Sequence, residues 1–319
     1  MKKKFMSTKI KITIISLLIA IIGCYSTSAI ILYNSDYKLS NYWDFDFEFN
    51  FDFSNGIFGF KNFNKSSGTL TLPYEDSLKD IKVETSSADT EIIFDDTQEI
   101  KVDISGNFRK SYDYKNALYE FKIDENTLKI TANDKSSIVK NLELKVHIPS
   151  KYNDNLIMYS SSGDIKLNNS TLNNINLQTS SGDIKANNKI TCNEISINAS
   201  SGEIEFSDLT SSVTNFTASS GDIDLKGTLG KLSLETSSGE IELYCLNDLE
   251  NNSKLTSSSG DIKMNLRNIN SYTINYSTSS GNLKCDYDYN KKDKHSYTIG
   301  NGSSLIDITT SSGDLEINN

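Results

Sequence analysis

Aligned on glycine, the C-terminal half of the chain repeats one hydrophobic pattern eight times. Ser-Ser-Gly, then Asp, Glu or Asn, then Ile or Leu, recurs with its glycine at Gly163, Gly182, Gly202, Gly221, Gly239, Gly260, Gly281 and Gly313. Two places after the glycine stand Ile165, Ile184, Ile204, Ile223, Ile241, Ile262, Leu283 and Leu315; four after stand Leu167, Ala186, Phe206, Leu225, Leu243, Met264, Cys285 and Ile317. Five before stand Met158, Leu177, Ile197, Phe216, Leu234, Leu255, Tyr276 and Ile308. Period-two alternation on both sides of a tight turn predicts strand, turn, strand in every copy, with the apolar columns on one side.

One copy cannot close a core, but stacked copies can, each strand pairing with its equivalent one layer away at about 4.8 Å. The fold expected is therefore all-β: a single-stranded parallel β-helix, or β-solenoid, with coils of about 20 residues. A third apolar position near Leu172, Ile190, Leu209, Leu229 and Ile269 suggests a third corner. The position three before each glycine holds only Ser, Thr or Ala and suits a pinch where the wall bends. Glycine at the turn supplies positive φ or a close backbone approach. The paired serines are expected to bond turn amides or form ladders between layers.

The regular array occupies 151–319, with an insertion at 286–304 read as a loop before the last coil, either a disordered insertion or a projecting binding loop. Residues 65–150 carry strand-like runs at Ile81–Glu84, Ile100–Ile104, Leu128–Ile130 and Leu142–Val146, read as irregular first coils of the same array. Ser66-Ser67-Gly68-Thr69-Leu70 and Ser86-Ser87-Ala88-Asp89 look like degenerate copies.

The N-terminal region has a different pattern. Residues 1–11 form a basic tail, with Lys2, Lys3, Lys4, Lys9 and Lys11, before the uncharged stretch 12–33. At 1.5 Å per residue this stretch spans a bilayer core of roughly 30 Å. The lysines then stay in the cytoplasm and the body lies outside the cell membrane, as a single-pass protein. Two other readings stay open. Ile21-Ile22-Gly23-Cys24 resembles a lipobox, which would make Cys24 a lipidation site, and a plain cleaved signal also fits. Between anchor and body, 34–64 forms a juxtamembrane segment in which Trp43–Phe53 alternates aromatic and polar residues, as a capping strand or spacer would, or an aromatic strip that lies near the membrane or binds a partner.

Composition narrows the function classes. The net charge is −10 although the first 33 residues hold five lysines and no acid, so the body is strongly acidic. That excludes a nucleic-acid partner, which needs a basic face. The only histidines, His147 and His295, have no sequence-visible partner, and no cofactor is expected. One place after the glycines come Asp164, Asp183, Glu203, Asp222, Glu240, Asp261, Asn282 and Asp314. Stacked carboxylates would suit calcium, but the exchange of Asp for Glu and the absence of a Gly-Gly-x-Gly-x-Asp signature favour solvated turns, with no metal. No Arg, Lys or His is expected to accompany these acids at a fixed place in the repeat, so a polysaccharide-acting β-helix enzyme is a remote reading and no catalytic residue is assigned. Cys192, Cys245 and Cys285 are read as free thiols.

The Ser-Ser-Gly-Asp-Ile copies, the lead-in Ile81–Asp89 and Val146-His147-Ile148-Pro149 together resemble a bacterial family of β-strand repeat proteins labelled "putative adhesins", a domain family of unknown function. The resemblance covers about 65–319. It implies a surface-exposed β-helix without catalytic residues. Some members look like membrane-anchored accessory proteins of envelope-stress systems in Gram-positive bacteria. Two functions follow as expectations: a membrane-tethered cell-surface structural or binding module for an envelope protein or glycan, or a regulatory partner of an envelope-stress sensor.

Overall fold

The computed structural model describes residues 63–250, 252–266, 272–294 and 296–318. The predicted tail and anchor, Cys24 and all of 34–64 except Phe63 and Asn64 lie outside the described residues, as do Ile269 and His295. The described part is all-β apart from one 3₁₀ turn, Tyr114–Asn116.

The irregular region supplies β1 (Phe63–Pro73), β2 (Asp80–Glu84), β3 (Asp89–Asp95), β4 (Glu99–Arg109), β5 (Leu118–Asp124), β6 (Thr127–Ala132) and β7 (Val139–Pro149). The repeats supply β8 (Asn155–Ser160), β9 (Ile165–Leu167), β10 (Ser170–Thr179), β11 (Ile184–Ala186), β12 (Ile190–Ala199), β13 (Ile204–Ala218), β14 (Ile223–Thr236), β15 (Ile241–Cys245), β16 (Ser253–Ser257), β17 (Ile262–Leu266), β18 (Tyr272–Ser277) and β19 (Leu283–Cys285). β20 (Tyr289–Lys291), β21 (Ser296–Ile299), β22 (Ser304–Thr310) and β23 (Leu315–Asn318) complete the chain.

Strands before the turn stack in one wall and strands after it in another. In the first, β2, β8, the second half of β10, β12, β13, β14 and β16 pair in parallel, residue for residue: Ile175 lies opposite Leu156 and Ile195, and Leu234 opposite Phe216 and Leu255. In the second, β3, β9, β11, β13, β14, β15 and β17 do the same, with Ile184 between Ile165 and Ile204. Equivalent residues of successive copies thus face the same neighbours. That is why the columns read from sequence are columns in space. Met158, Leu177, Ile197, Phe216, Leu234, Leu255, Tyr276 and Ile308 are all buried. So are Ile165, Ile184, Ile204, Ile223, Ile241, Ile262 and Leu315.

Layer order departs from chain order at both ends. β22 pairs with β16 on one side and β18 on the other, and β23 with β17 and β19. The last coil in sequence is therefore the last but one in space, inserted beneath the coil formed by β18 and β19. At the other end β2 lies between β6 and β8, and β3 between β7 and β9, so the coil at 127–149 lies outside the coil that precedes it. The insertion 286–304 is not a projecting loop. Its β20 and β21 form an antiparallel hairpin on β18, with Tyr297 stacked on Tyr276 at 5.7 Å between ring centroids. This covers an edge that would otherwise offer free amides and carbonyls. β5 covers β6 in the same way at the opposite end. Position at the end of the stack explains why Leu283 and Cys285 stay only partly buried in otherwise buried columns.

Two sequence readings need correction. Ser66–Leu70 is not a repeat turn: it lies inside β1, antiparallel to β4, with Gly68 opposite Ile104 and against the Tyr114 ring. The third corner exists, but its apolar positions fall in two adjacent columns. Ile190 and Leu209 align with Ser170 and Gly227, whereas Leu172 and Leu229 align with Cys192 and Ser211.

Candidate functional site

The repeat turn is the most regular chemical feature of the chain, and its glycine is fixed by stacking. Among the described residues the only glycine with positive φ is Gly300, so the repeat glycines do not serve a left-handed turn. Close approach is the reason. A Cβ at Gly182 would lie 2.1 Å from Gly163 O, one at Gly202 1.9 Å from Gly182 O, and one at Gly221 1.9 Å from Gly202 O. Each Cβ would point toward the layer before it. Ala88 occupies the first of these turns, and a Cβ at Gly163 would lie 2.1 Å from Ala88 O. Below Ala88 sits the Asp134 carboxylate in place of a glycine carbonyl, so a methyl group fits.

Backbone amides and carbonyls of the turns form a ladder along the stack: Ser181 N–H donates to Ser161 O at 3.0 Å, Ser201 to Ser180 at 3.0 Å and Ser220 to Ser200 at 2.9 Å. The first layer has amides with no turn beneath them. Asp134, 7% exposed, closes this end by accepting from Ser86 N at 2.6 Å, from Ala88 N at 3.2 Å and from Ser87 N. Three amides converging on one carboxylate make an anion nest with its own internal anion. Nothing in the repeat marks Asp134, which lies between β6 and β7.

The hydroxyl that bonds the turn amide comes from the column three before glycine, not from the paired serines. Ser160 Oγ accepts from Gly163 N at 3.0 Å, Thr179 Oγ1 from Gly182 N at 3.0 Å, Thr236 Oγ1 from Gly239 N at 3.1 Å, and Ser257 Oγ from Gly260 N at 2.9 Å. These hydroxyl residues are buried. The paired serines of the repeats are mostly exposed and enter the ladder through their backbone.

The acidic column is an interlayer cap. Asp89 Oδ1 accepts from Asp164 N at 3.0 Å, Asp164 Oδ1 from Asp183 N at 2.9 Å, Asp183 Oδ1 from Glu203 N at 3.0 Å and Asp222 Oδ1 from Glu240 N at 2.7 Å. Across the inverted layers Asp261 accepts from Asp314 N at 2.8 Å, and Asp314 from Asn282 N at 2.6 Å. Where the column holds Glu, the longer side chain turns to a lysine: Glu203 Oε2 lies 2.6 Å from Lys185 Nζ, and Glu240 pairs with Lys263. Among the described residues no group of three His, Cys, Asp or Glu side chains converges as a metal ion requires.

A base accompanies the acids in half of the copies: lysine stands three after glycine in four of the eight. Three after glycine stand, in layer order, Lys166, Lys185, Glu205, Asp224, Glu242, Lys263, Glu316 and Lys284. Lys185 sits between Glu203, Glu205 at 3.4 Å and Asp183 at 3.7 Å, and the Glu203 hydrogen bond raises its pKa above the ordinary lysine value. Asp224 lies in register between Glu205 and Glu242; burial first, then these carboxylates, raise its pKa. Opposite signs meet at Lys185 and Glu205, at Glu242 and Lys263, and at Glu316 with Lys263 and Lys284, whereas the three acids in the middle of the column repel.

His147, on the outward face of β7, lies between two carboxylates: Nδ1 is 2.7 Å from Asp95 Oδ2 and Nε2 3.1 Å from Asp103 Oδ2. It ties β7 to both β3 and β4. Cys192, Cys245 and Cys285 are unpaired, and burial pushes the first two thiols up to about 12. Such thiols are inert at neutral pH.

Several solved structures are similar over most of the chain. A protein described as a "putative lipid binding protein" from Parabacteroides distasonis ATCC 8503 is 17% identical, with a TM-score of 0.48 over 79% of this chain and 97% of its own. A "putative adhesin" from Bacteroides fragilis NCTC 9343 is 12% identical, with a TM-score of 0.46 over 79% and 97%. A "putative cell adhesion protein" from Clostridium sporogenes ATCC 15579 is 11% identical, with a TM-score of 0.31 over 80% and 99%. No curated protein matches. The family profile is decisive: it matches residues 78–318, which begin at the first buried leucine of the body and run through every repeat, and the chain belongs to the Toastrack DUF4097 family.

Proposed function

We propose that this protein is a non-catalytic binding and structural module of the cell surface, built as a single-stranded parallel β-helix. In this reading it is tethered by the segment 12–33, or through lipidated Cys24, and holds an envelope protein or glycan outside the cytoplasm. One observation carries the reading. The apolar columns are used up between the walls, whereas the outward positions form polar rows repeated in register from layer to layer, as at Lys185, Glu205, Asp224 and Glu242. A rigid array of that kind offers many weak contacts at fixed spacing, which suits an extended partner.

The test uses intact, wall-stripped cells. Added protease is expected to remove the body, and crosslinking before lysis to capture an envelope component that depends on outward side chains. A body protected until lysis overturns the placement. Capture unaffected by outward substitutions but lost on replacing residues 1–60 overturns the binding role in favour of regulation through the anchor. Globomycin, which blocks lipoprotein signal cleavage, shifts the protein's size only if Cys24 is lipidated.

A further inference from the structure

At the end of the stack opposite the β20 and β21 hairpin, the second wall continues past β7 into β4 and then β1. One corner of this sheet gathers bases. Phe63 lies opposite Arg109, Lys65 opposite Asn107, and Asn107 opposite Lys140, so these side chains share the outward face. Two turns adjoin the corner. Tyr112 N–H donates to Arg109 O at 2.7 Å and Ile138 N–H to Lys135 O at 2.8 Å, while Arg109 N–H donates to Ile138 O at 2.8 Å and ties one turn to the other. The turns add Lys110, Tyr112 and Lys135, all exposed.

The charges here are arranged unlike those of the rest of the body. Lys65, Arg109, Lys110 and Lys135 pair with no acid among the described residues, whereas Lys82, Lys129, Lys145, Lys185 and Lys263 elsewhere each hold a carboxylate. Asp113, the exposed acid beside them, is turned to its own loop: it accepts from Lys115 N at 2.9 Å and from Asn116 Nδ2 at 3.1 Å. Asp134 is buried beneath the first turn. Aromatic surface lies among the bases. Lys140 Nζ sits 5.1 Å from the centroid of the Phe63 ring, and Tyr112 is 40% exposed. Arg109 is one of two arginines in the chain. A guanidinium can hold a phosphate through two parallel N–H bonds, which an ammonium cannot. The chain also enters the described body at Phe63, within this corner, downstream of the stretch 12–33 read as the anchor.

We propose that this corner is a docking surface for anionic lipid headgroups: Lys65, Arg109, Lys110 and Lys135 take the phosphates, and the rings of Phe63 and Tyr112 lie at headgroup level. Bases interleaved with aromatic rings suit an interface that is charged outside and apolar beneath, where a soluble polyanion would use the bases alone. The body as a whole is acidic, so the same membrane repels the remainder of it. That asymmetry turns this corner toward the lipid. A tethered protein needs only weak attraction, because the tether keeps the local concentration of lipid high. The inference rests on the reading of the chain as membrane-tethered, and adds a second, electrostatic contact between the body and that membrane.

The test reconstitutes the full chain into vesicles of phosphatidylcholine, with or without phosphatidylglycerol, and reads hydrogen exchange. Amides of 110–113 and 135–138 are expected to exchange about tenfold more slowly on the anionic vesicles, while amides of β20 and β21 exchange alike on both. K65Q combined with R109Q and K110Q should abolish the difference at unchanged melting temperature, since all three side chains are exposed. Raised salt should abolish it in the parent. Equal exchange on both vesicles, or a difference that survives the triple variant, overturns the proposal. So does equal protection of the detergent-solubilised chain by polyphosphate, which would make the corner a site for a soluble polyanion. If docking fails while added protease still removes the body from intact cells, the tethered reading stands. A body protected until lysis removes that reading and leaves the vesicle result untouched.

Discussion

Gly281 rests on Gly313. A Cβ at Gly281 would lie 2.0 Å from Gly313 O, and a Cβ at Gly313 would lie 2.0 Å from Gly260 O. The glycine nearest the C-terminus is therefore interior to the stack, and the one before it in sequence belongs to the last layer. The chain leaves the layer of β16 and β17, builds the outermost coil, folds a hairpin over it, and returns to fill the gap.

Layer order sets which glycine matters more. G313V is expected to disturb two interfaces, those with Gly260 and Gly281, whereas G281V releases only the outer coil and its hairpin. Native-state hydrogen exchange should show G313V exposing amides of β16 to β19 together, and G281V exposing β18 to β21 alone. The reverse ranking, which sequence order alone suggests, would refute the inverted layers.

Ala88 and the repeat glycines should respond oppositely to exchange. G221A places a methyl group against the Gly202 carbonyl and is expected to cost about 1–3 kcal/mol or more, as overpacking does. A88G meets no such carbonyl and should cost under about 1 kcal/mol, the ordinary effect of added chain freedom. Urea denaturation of the two variants measures both.

Asp134 closes the amide end of the turn ladder. D134A leaves three amides without their acceptor and should cost about 3 kcal/mol, since bonds to a charged group contribute roughly 1.5–3 kcal/mol each and do not add fully. D134N keeps an acceptor oxygen and should cost less. Exchange protection at Ser86, Ser87 and Ala88 should fall first; unchanged protection in D134A would contradict the cap.

The acidic column gives different outcomes for capping and for calcium. As an interlayer cap, Asp183 needs an acceptor oxygen rather than a charge. D183N should retain most of the stability that D183A loses, about 1 kcal/mol at a half-exposed site. Millimolar calcium at fixed ionic strength should leave the melting temperature of the parent unchanged. A calcium-selective rise abolished by D222N and D261N would replace the cap with a cation site.

Acid should weaken the junction of β3, β7 and β4. Burial raises the Asp95 carboxyl, but hydrogen bonds from His147 and Thr97 outweigh it, so the pKa in the folded state is lowered. Glu91 is lowered against its burial by Asn168 and Lys145. A carboxyl with a depressed folded pKa contributes stability above its unfolded value, about pH 4, and that contribution is lost as pH falls through the folded value. Stability measured from pH 6 to pH 2 should thus fall more steeply for the parent than for D95N, the two converging at the acid end. Parallel curves would remove Asp95 from the account.

The repeat was legible because a stacked coil has only one solution to its burial problem. Ile184 must lie where Ile165 and Ile204 lie, so the period of the chain is the period of the core. The need for glycine was legible too, but its cause was not: positive φ and close approach leave the same residue in a sequence, and only the 1.9 Å between a Gly221 Cβ and Gly202 O separates them. The lysines three after glycine were present in the alignment. They lacked meaning until the layers brought Lys185 to Glu203, because a column in which lysines and acids are mixed does not read as a motif. The sequence by itself determined the all-β class, the buried columns and the turn. Tertiary structure alone decided that β22 and β23 enter beneath β18 and β19, that Asp134 closes the ladder, and that Lys65, Arg109 and Lys135 meet at one corner. Near-identical coils can stack in more than one order at similar local energy. What selects one order is contact between residues far apart in the chain, such as Asp314 with Asp261 and Asn282, which no local pattern encodes.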